Sequence, residues 1–343
     1  MDTSNRRIEW IDIAKGIGIL LVILGHTIAL KYSKVLYTFH MPLFFLLSGL
    51  VAKECCSFKD VLINKTKRVL KPWGTILLLS FVVVMLIPEW RMQLVLGDVL
   101  KELYSANTNL LQNSSLWYLV CFFFVTLLFY PLSKFVKMPL SPKEIVIFAV
   151  ISYALLYLKD LISTFPLPEH RLPFKIDTAC VGLVFFSVGF YAKQTIIQLV
   201  DNARLKWIII LSVVCLVMSY LNGWTNLNSY DFGNIKLLFY PIAFIGITVC
   251  LFASVVIEKS RFVMIKNILV FYGKNSLLIF GFQSLLIRLY LLLFNHIEGL
   301  NMQLYADNPI IHQIGSFFIV SFIGSPLVVA TFRFLRKRRI NIL

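Results

Sequence analysis

The chain has 343 residues, of which 59% are hydrophobic and 15% charged, with a mean hydropathy of +0.81. Soluble globular proteins carry about a quarter charged residues, so the composition places the chain in the integral membrane class. The net charge of +16 reads as the positive-inside bias of loops rather than as a nucleic-acid surface. The cysteines Cys55, Cys56, Cys121, Cys180, Cys215 and Cys250 lie in or beside apolar stretches without ligand spacing, which argues against a disulfide framework or a zinc site.

About 20 apolar residues cross the roughly 30 Å of bilayer hydrocarbon. Such segments run near 12–31, 35–53, 70–88, 116–135, 144–162, 176–192, 207–223, 235–257, 271–294 and 309–334. They predict an all-α integral membrane protein of about ten transmembrane helices, forming a single membrane domain over 1–343. Arg6 and Arg7 precede the first apolar run as in a signal peptide, but no small-residue cleavage site follows, so the first helix is read as retained. With the N-terminus inside, most of the 33 basic residues fall on inner connections and tails, among them Lys53, Lys65, Arg68, Lys71, Lys134, Arg204, Lys259, Arg336, Lys337, Arg338 and Arg339. Outer basic residues such as Arg171 and Lys175 are fewer and are balanced by Glu89, Asp98 and Glu102. Both termini are therefore predicted to be cytoplasmic.

Ionisable side chains within a span are expensive and are functional candidates by default. Helix 1 carries Lys15 and His26, eleven residues apart, which is about 16 Å along the axis and close to three whole turns. Both then lie on one face, relieved by Gly18 and Gly25, with Lys15 near the cytoplasmic boundary and His26 in the outer half. Asp12 is about 21 Å from His26 on the same measure, so helix 1 holds no Asp–His dyad. Snorkelling of Lys15 and a hydrogen bond from His26 to a neighbouring helix are the structural alternatives.

Helix 2 runs back inward through Phe39-His40-Met41-Pro42 to Ser48-Gly49, placing His40 near the depth of His26. Ser48-Gly49 allows close approach of a neighbouring helix or of a ligand. The following connection brings Arg68 and Lys71 onto one side of a helical turn; with Lys15 they form a candidate cationic cluster for phosphates. Trp117 and Tyr118 open helix 4 as candidate aromatic-belt anchors, and Gln283 and Arg288 on helix 9 read as interhelical hydrogen-bonding groups. The outer connections 89–115, 163–175, 222–234 and 295–308 are rich in Asn, Ser, Gly, Pro and Tyr, which suits a carbohydrate-facing surface and equally an ordinary polar loop.

Three features in this order, Lys15 followed after ten residues by His26, the stretch Phe39-His40-Met41-Pro42 to Gly49, and Arg68-Val69-Leu70-Lys71 before Pro72, resemble the acyltransferase-3 family of membrane O-acyltransferases. That resemblance runs across the chain and implies transfer of an acyl group, most often acetyl, from cytoplasmic acyl-coenzyme A to a hydroxyl of an extracytoplasmic or lipid-linked polysaccharide. It implies His26 as catalytic base, His40 as a second catalytic or positioning group, and Lys15, Arg68 and Lys71 as the coenzyme A phosphate site, without a metal or nucleic acid. It also implies a multi-pass protein of the bacterial cytoplasmic membrane. The family usually has Arg where this chain has Lys15 and Lys71, and often His where it has Gln283, so no catalytic role carries over to helix 9. Many relatives append an extracytoplasmic hydrolase-like domain; here the helices are expected to finish the transfer alone or with a separate partner. The alternative from another class is an exporter or flippase of a glycan or lipid-linked precursor, with the histidines relaying protons.

Overall fold

The computed structural model describes residues 9–54, 57–136, 141–165, 167, 170–304 and 308–338. Arg6, Arg7, Cys55, Cys56 and Arg339 lie outside the described residues. The long helices are α1 (Glu9–Thr27), α2 (Leu30–Leu50), α3 (Phe58–Leu86), α4 (Trp117–Phe135), α5 (Pro142–Leu155), α6 (Ile176–Tyr191), α7 (Leu205–Asn222), α8 (Phe239–Glu258), α9 (Val263–Lys274), α10 (Ser276–Glu298) and α11 (Ile310–Lys337). Eight of them are long and apolar enough to cross a membrane: α1, α3, α4, α6, α7, α8, α10 and α11. The remaining expected segments form α2, which carries His40 within its length, and α5, which stops at Leu155 and resumes as a short helix, Leu158–Ile162. The one strand pair among the described residues is a small hairpin, β1 (Thr225–Asn226) against β2 (Asp231–Phe232).

Burial sorts the helices into a centre and a rim. Helix α1 packs against α2, α8, α9 and α10, and α2 also packs against α6 and α8. On the rim, α3, α7 and α11 expose large apolar side chains such as Leu78, Leu86, Ile209, Leu221 and Ile311, which is the surface expected where the solvent is lipid rather than water. The start of α1 is pinned to the end of α8, the Trp10 N–H donating to Glu258 Oε1 at 3.0 Å, and Lys266 of α9 pairs with Glu9 at 3.3 Å.

Close approach is bought by glycine. A Cβ on Gly49 would stand 2.0 Å from the Phe186 carbonyl oxygen of α6, and one on Gly189 would stand 2.1 Å from that of Leu46 in α2. Gly49 therefore serves helix packing, while its neighbour Ser48 faces a cavity. Two helices contain a π-turn: Thr66–Leu70 within α3 and Val320–Gly324 within α11. Each precedes a proline by two residues, Pro72 and Pro326. A proline ring clashes with the carbonyl four residues before it, and widening the turn to i→i−5 bonds, Lys71 N–H to Thr66 O and Ser325 N–H to Val320 O, relieves that clash without ending the helix.

Candidate active site

Five elements meet in a cavity of about 220 Å³ at the end of the bundle where α1 turns into α2. The turn is tight: the free Ala29 N–H after α1 donates to Gln313 Oε1 of α11 at 3.1 Å. His26 enters from the last turn of α1, and His40 and Tyr37 from α2. The connection before α4 supplies Asn109, Ser114 and Ser115, α4 supplies its first residue, Trp117, and the hairpin supplies Trp224, Asn226 and Asn228. Phe280 closes the wall from α10.

The two imidazoles flank Tyr37. Its hydroxyl lies 3.4 Å from His26 Nδ1, its ring meets His40 edge-on at 5.0 Å, and it packs on Trp224 at 4.8 Å. His40 Nδ1 is hydrogen-bonded to the Leu36 carbonyl. A carbonyl oxygen only accepts, so Nδ1 carries the hydrogen and the neutral ring holds its lone pair on Nε2. The backbone thus selects the tautomer of His40, whereas that of His26 follows the direction of its contact with the phenol.

The loop ahead of α4 is stitched to α10. Asn113 donates to Gly281 O at 2.7 Å and to Ser80 Oγ of α3 at 3.0 Å, Ser115 donates to Phe280 O at 3.1 Å, and Ser114 shares a 3.1 Å hydroxyl contact with Ser284. Gln283, fully buried, donates to Ser284 Oγ at 3.4 Å, and its Oε1 has no hydrogen-bond partner among the described residues. The hairpin is held from two sides. Thr38 of α2 contacts Thr225 at 2.8 Å, and Arg171 and Lys175 both donate to the Asn228 carbonyl at 3.2 Å. Arg171 in turn is paired bidentately with the fully buried Asp177 and donates to Thr178 Oγ1 at 2.8 Å. These two cations, read from sequence as outer-loop charges, are 7% and 4% exposed.

A second cavity, of about 430 Å³, opens at the opposite end of the bundle. Arg68, Lys53, Lys65, Ser48 and Asn64 line it with Glu54, and Phe122 forms its inner end. Lys15 is half-buried on α1 and Lys71 is exposed; neither is among the lining residues. Between the two cavities lies a partition of rings. Tyr118 stacks on Phe122 at 5.9 Å, contacts Phe280 at 5.3 Å, and packs against Phe45 at 4.9 Å and Phe44 at 6.3 Å. Trp117 and Tyr118 are therefore buried beside the cavity and in the partition, not set in an aromatic belt. A residue at a helix end has the same hydropathy whether it turns to lipid or inward, and the sequence carries no signal for that rotation. For the same reason Tyr37, Asn109, Asn226 and Asn228 had only their polar composition to mark them.

Fold and site together define an all-α membrane protein with a histidine-bearing cavity at one end and a basic cavity at the other. Residues 8–330 match the acyltransferase-3 family model, described as an acyltransferase domain. The chain belongs to that family and is a membrane acyltransferase, which displaces the exporter reading. No curated protein and no solved structure matches it.

Proposed function

We propose that this acyltransferase moves an acyl group, acetyl in the simplest case, from cytoplasmic acyl-coenzyme A to a hydroxyl of an extracytoplasmic or lipid-linked polysaccharide in a bacterial cytoplasmic membrane. The observation that carries the reading is the convergence of His26 and His40 with Trp117, Trp224, Asn226 and Asn228 on one cavity. Aromatic faces beside amide side chains match a sugar's apolar faces and hydroxyl edges.

On the donor side, Arg68 with Lys53 and Lys65 suits the phosphates of coenzyme A; Lys15 and Lys71, which the family resemblance adds to the donor site, lie outside the lining of this cavity. The pantetheine arm would extend from there toward the histidines. Phe122 and Trp117 are five residues apart on α4, so the partition is about 8 Å thick along the axis. An extended thioester arm crosses that distance once Tyr118 moves aside.

At the histidines, the acceptor hydroxyl oxygen attacks the thioester carbonyl carbon as an imidazole takes the hydroxyl proton. The C–S bond then breaks, and the thiolate leaves with that proton. His40 is held in the tautomer that accepts a proton on Nε2. His26 becomes a second base when its Nδ1–H donates to Tyr37, and an oxyanion donor through Nε2–H when the phenol donates to it.

Proteoliposomes loaded with labelled acetyl-coenzyme A and given an external oligosaccharide test the proposal. Label is expected on the glycan, and His26→Ala and His40→Ala are each expected to lower transfer by roughly 10²-fold or more at unchanged protein level and melting temperature. Retained transfer in His26→Ala overturns the assignment of that residue. Absence of label on any glycan offered overturns the reaction.

A further inference from the structure

The connection between α3 and α4 reads by composition as a polar loop, yet its middle forms a ten-residue helix, Leu96–Ser105. At about 100° per residue, Val99, Leu103, Leu96, Leu100 and Tyr104 fall side by side on one stripe about 140° wide, and Gly97, Lys101, Ser105, Asp98 and Glu102 fill the rest of the surface. A helix on the surface of a water-soluble protein turns such a stripe to the core. Here it is turned partly outward: Leu96 is 76% exposed and Leu100 58%, and Met92 and Val95, just ahead of the helix, are exposed as well. The last turn is covered where the helix packs against the segment Pro173–Lys175, with Ser105 and the following Ala106 buried.

The exposed stripe continues a surface that faces lipid. Phe81, Val82, Met85 and Leu86 in the last turns of α3 are exposed, and the chain passes from Leu86 to Met92, Val95, Leu96 and Leu100 without leaving that apolar surface. These last turns of α3 stand at the histidine end of the bundle, because Asn113 of the cavity loop donates to Ser80 Oγ at 3.0 Å. The opposite side of the helix carries an ion pair, Lys101 Nζ to Asp98 Oδ1 at 3.1 Å, with both side chains more than half exposed. An open apolar stripe backed by charge, directly after the end of a span, is the pattern of a helix lying in the plane of a bilayer surface.

The same helix is tied to the wall of the histidine cavity. Glu102 Oε2 accepts the Leu110 N–H at 2.9 Å, and at Ala106 the chain turns in a left-handed conformation into the loop that supplies Asn109, Ser114 and Ser115. Tyr104 donates its hydroxyl to the Arg171 carbonyl at 3.4 Å, and Arg171 holds the hairpin through Asn228. One short helix thus joins both connections that build the wall.

We propose that the helix Leu96–Ser105 lies in the headgroup region of the leaflet at the histidine end, with Leu96 and Leu100 in the acyl-chain boundary, and that this hold on lipid fixes the loop carrying Asn109, Ser114 and Ser115. The partner is the bilayer rather than a second chain, since the stripe runs on from the lipid-facing side of α3.

The full chain in nanodiscs of phosphatidylcholine, plain or brominated on the acyl chains, tests the placement. Leu100→Trp and Asp98→Trp put an indole on the two sides of the helix, and the emission of the parent's six tryptophans is subtracted. The emission added by Leu100→Trp is expected to fall at least about twofold in brominated lipid, and that added by Asp98→Trp to change little. Equal quenching at the two positions, or none at Leu100→Trp, overturns the proposal. An indole at position 100 that is shielded from aqueous iodide yet untouched by bromine would give the face to a second chain, and overturns it too. Amide exchange over residues 107–115 tests the hold on the loop. Leu96→Ser combined with Leu100→Ser is expected to speed it several-fold, and Lys101→Ser to leave it as in the parent, with melting temperature confirming that each variant is folded. Exchange unchanged in the double variant, or equally fast in Lys101→Ser, overturns the coupling. Neither measurement involves acyl transfer, so the outcome stands apart from the reaction assigned to the histidines.

Discussion

Removing the guanidinium of Arg171 tests how the acceptor wall is held. Arg171 bonds Asp177 through two nitrogens, Thr178 through Nη2 and the Asn228 carbonyl through Nη1, with Asp177 fully buried. In Arg171→Met the Asp177 carboxylate keeps the Thr178 N–H, at 2.7 Å, as a donor but loses its compensating charge. Breaking a buried pair by deleting one partner costs about 3–5 kcal/mol, whereas replacing both partners by apolar groups is close to neutral. At roughly 2–4 °C per kcal/mol for a chain of this order of size, Arg171→Met should melt on the order of 10 °C below the parent protein in detergent. Arg171→Met combined with Asp177→Leu should recover most of that loss. Lys175 still holds the Asn228 carbonyl in the double variant, at 3.2 Å, so its wall is loosened rather than lost. Its acceptor KM should rise several-fold while kcat changes little. Tryptophan fluorescence melts and steady-state transfer read both effects. An Arg171→Met variant that melts with the parent, or a double variant less stable than the single, would refute the reasoning.

Two further expectations concern the donor path. Arg68→Ala removes a guanidinium from the wall of the basic cavity, and one charge-assisted bond to phosphate is worth about 1.5–3 kcal/mol. The Kd for acyl-coenzyme A should rise by roughly 10- to 100-fold in calorimetry; Lys15→Ala and Lys71→Ala, outside that wall, should cost less, and the reverse order would relocate the donor site. Tyr118→Ala deletes the ring between Phe122 and Phe280, joining the two cavities. Hydrolysis of the donor relative to transfer should then rise several-fold, and an unchanged ratio would show that the thioester takes another route.

The helices were legible because hydrocarbon imposes a length and a composition that survive in a single sequence. The exceptions have local causes. The segment expected over 144–162 breaks after Leu155, with Lys159 and Asp160 in the short helix that follows; Asp160 pairs with Lys236 at 2.5 Å. The histidines stood out because an imidazole within an apolar run is costly, and the structure sets both in one wall. Gly49 was open between helix packing and ligand approach, and the Phe186 carbonyl 2.0 Å from its absent Cβ resolves it as packing.

The residues that complete the cavity were opaque for a different reason. Asn109, Ser114, Asn226 and Asn228 sit in connections, where polar composition costs nothing and so carries no information about direction. Arg171 and Lys175 matched their acidic neighbours in a charge balance, yet each is buried against a carbonyl that lines the site. A charge in a loop and a charge in a wall look alike until the chain closes on itself. The cavity's amide side chains therefore come from connections and its imidazoles from helices. On the acyl-transfer proposal, the helices would supply the base that takes the hydroxyl proton and the connections the contacts that orient the acceptor.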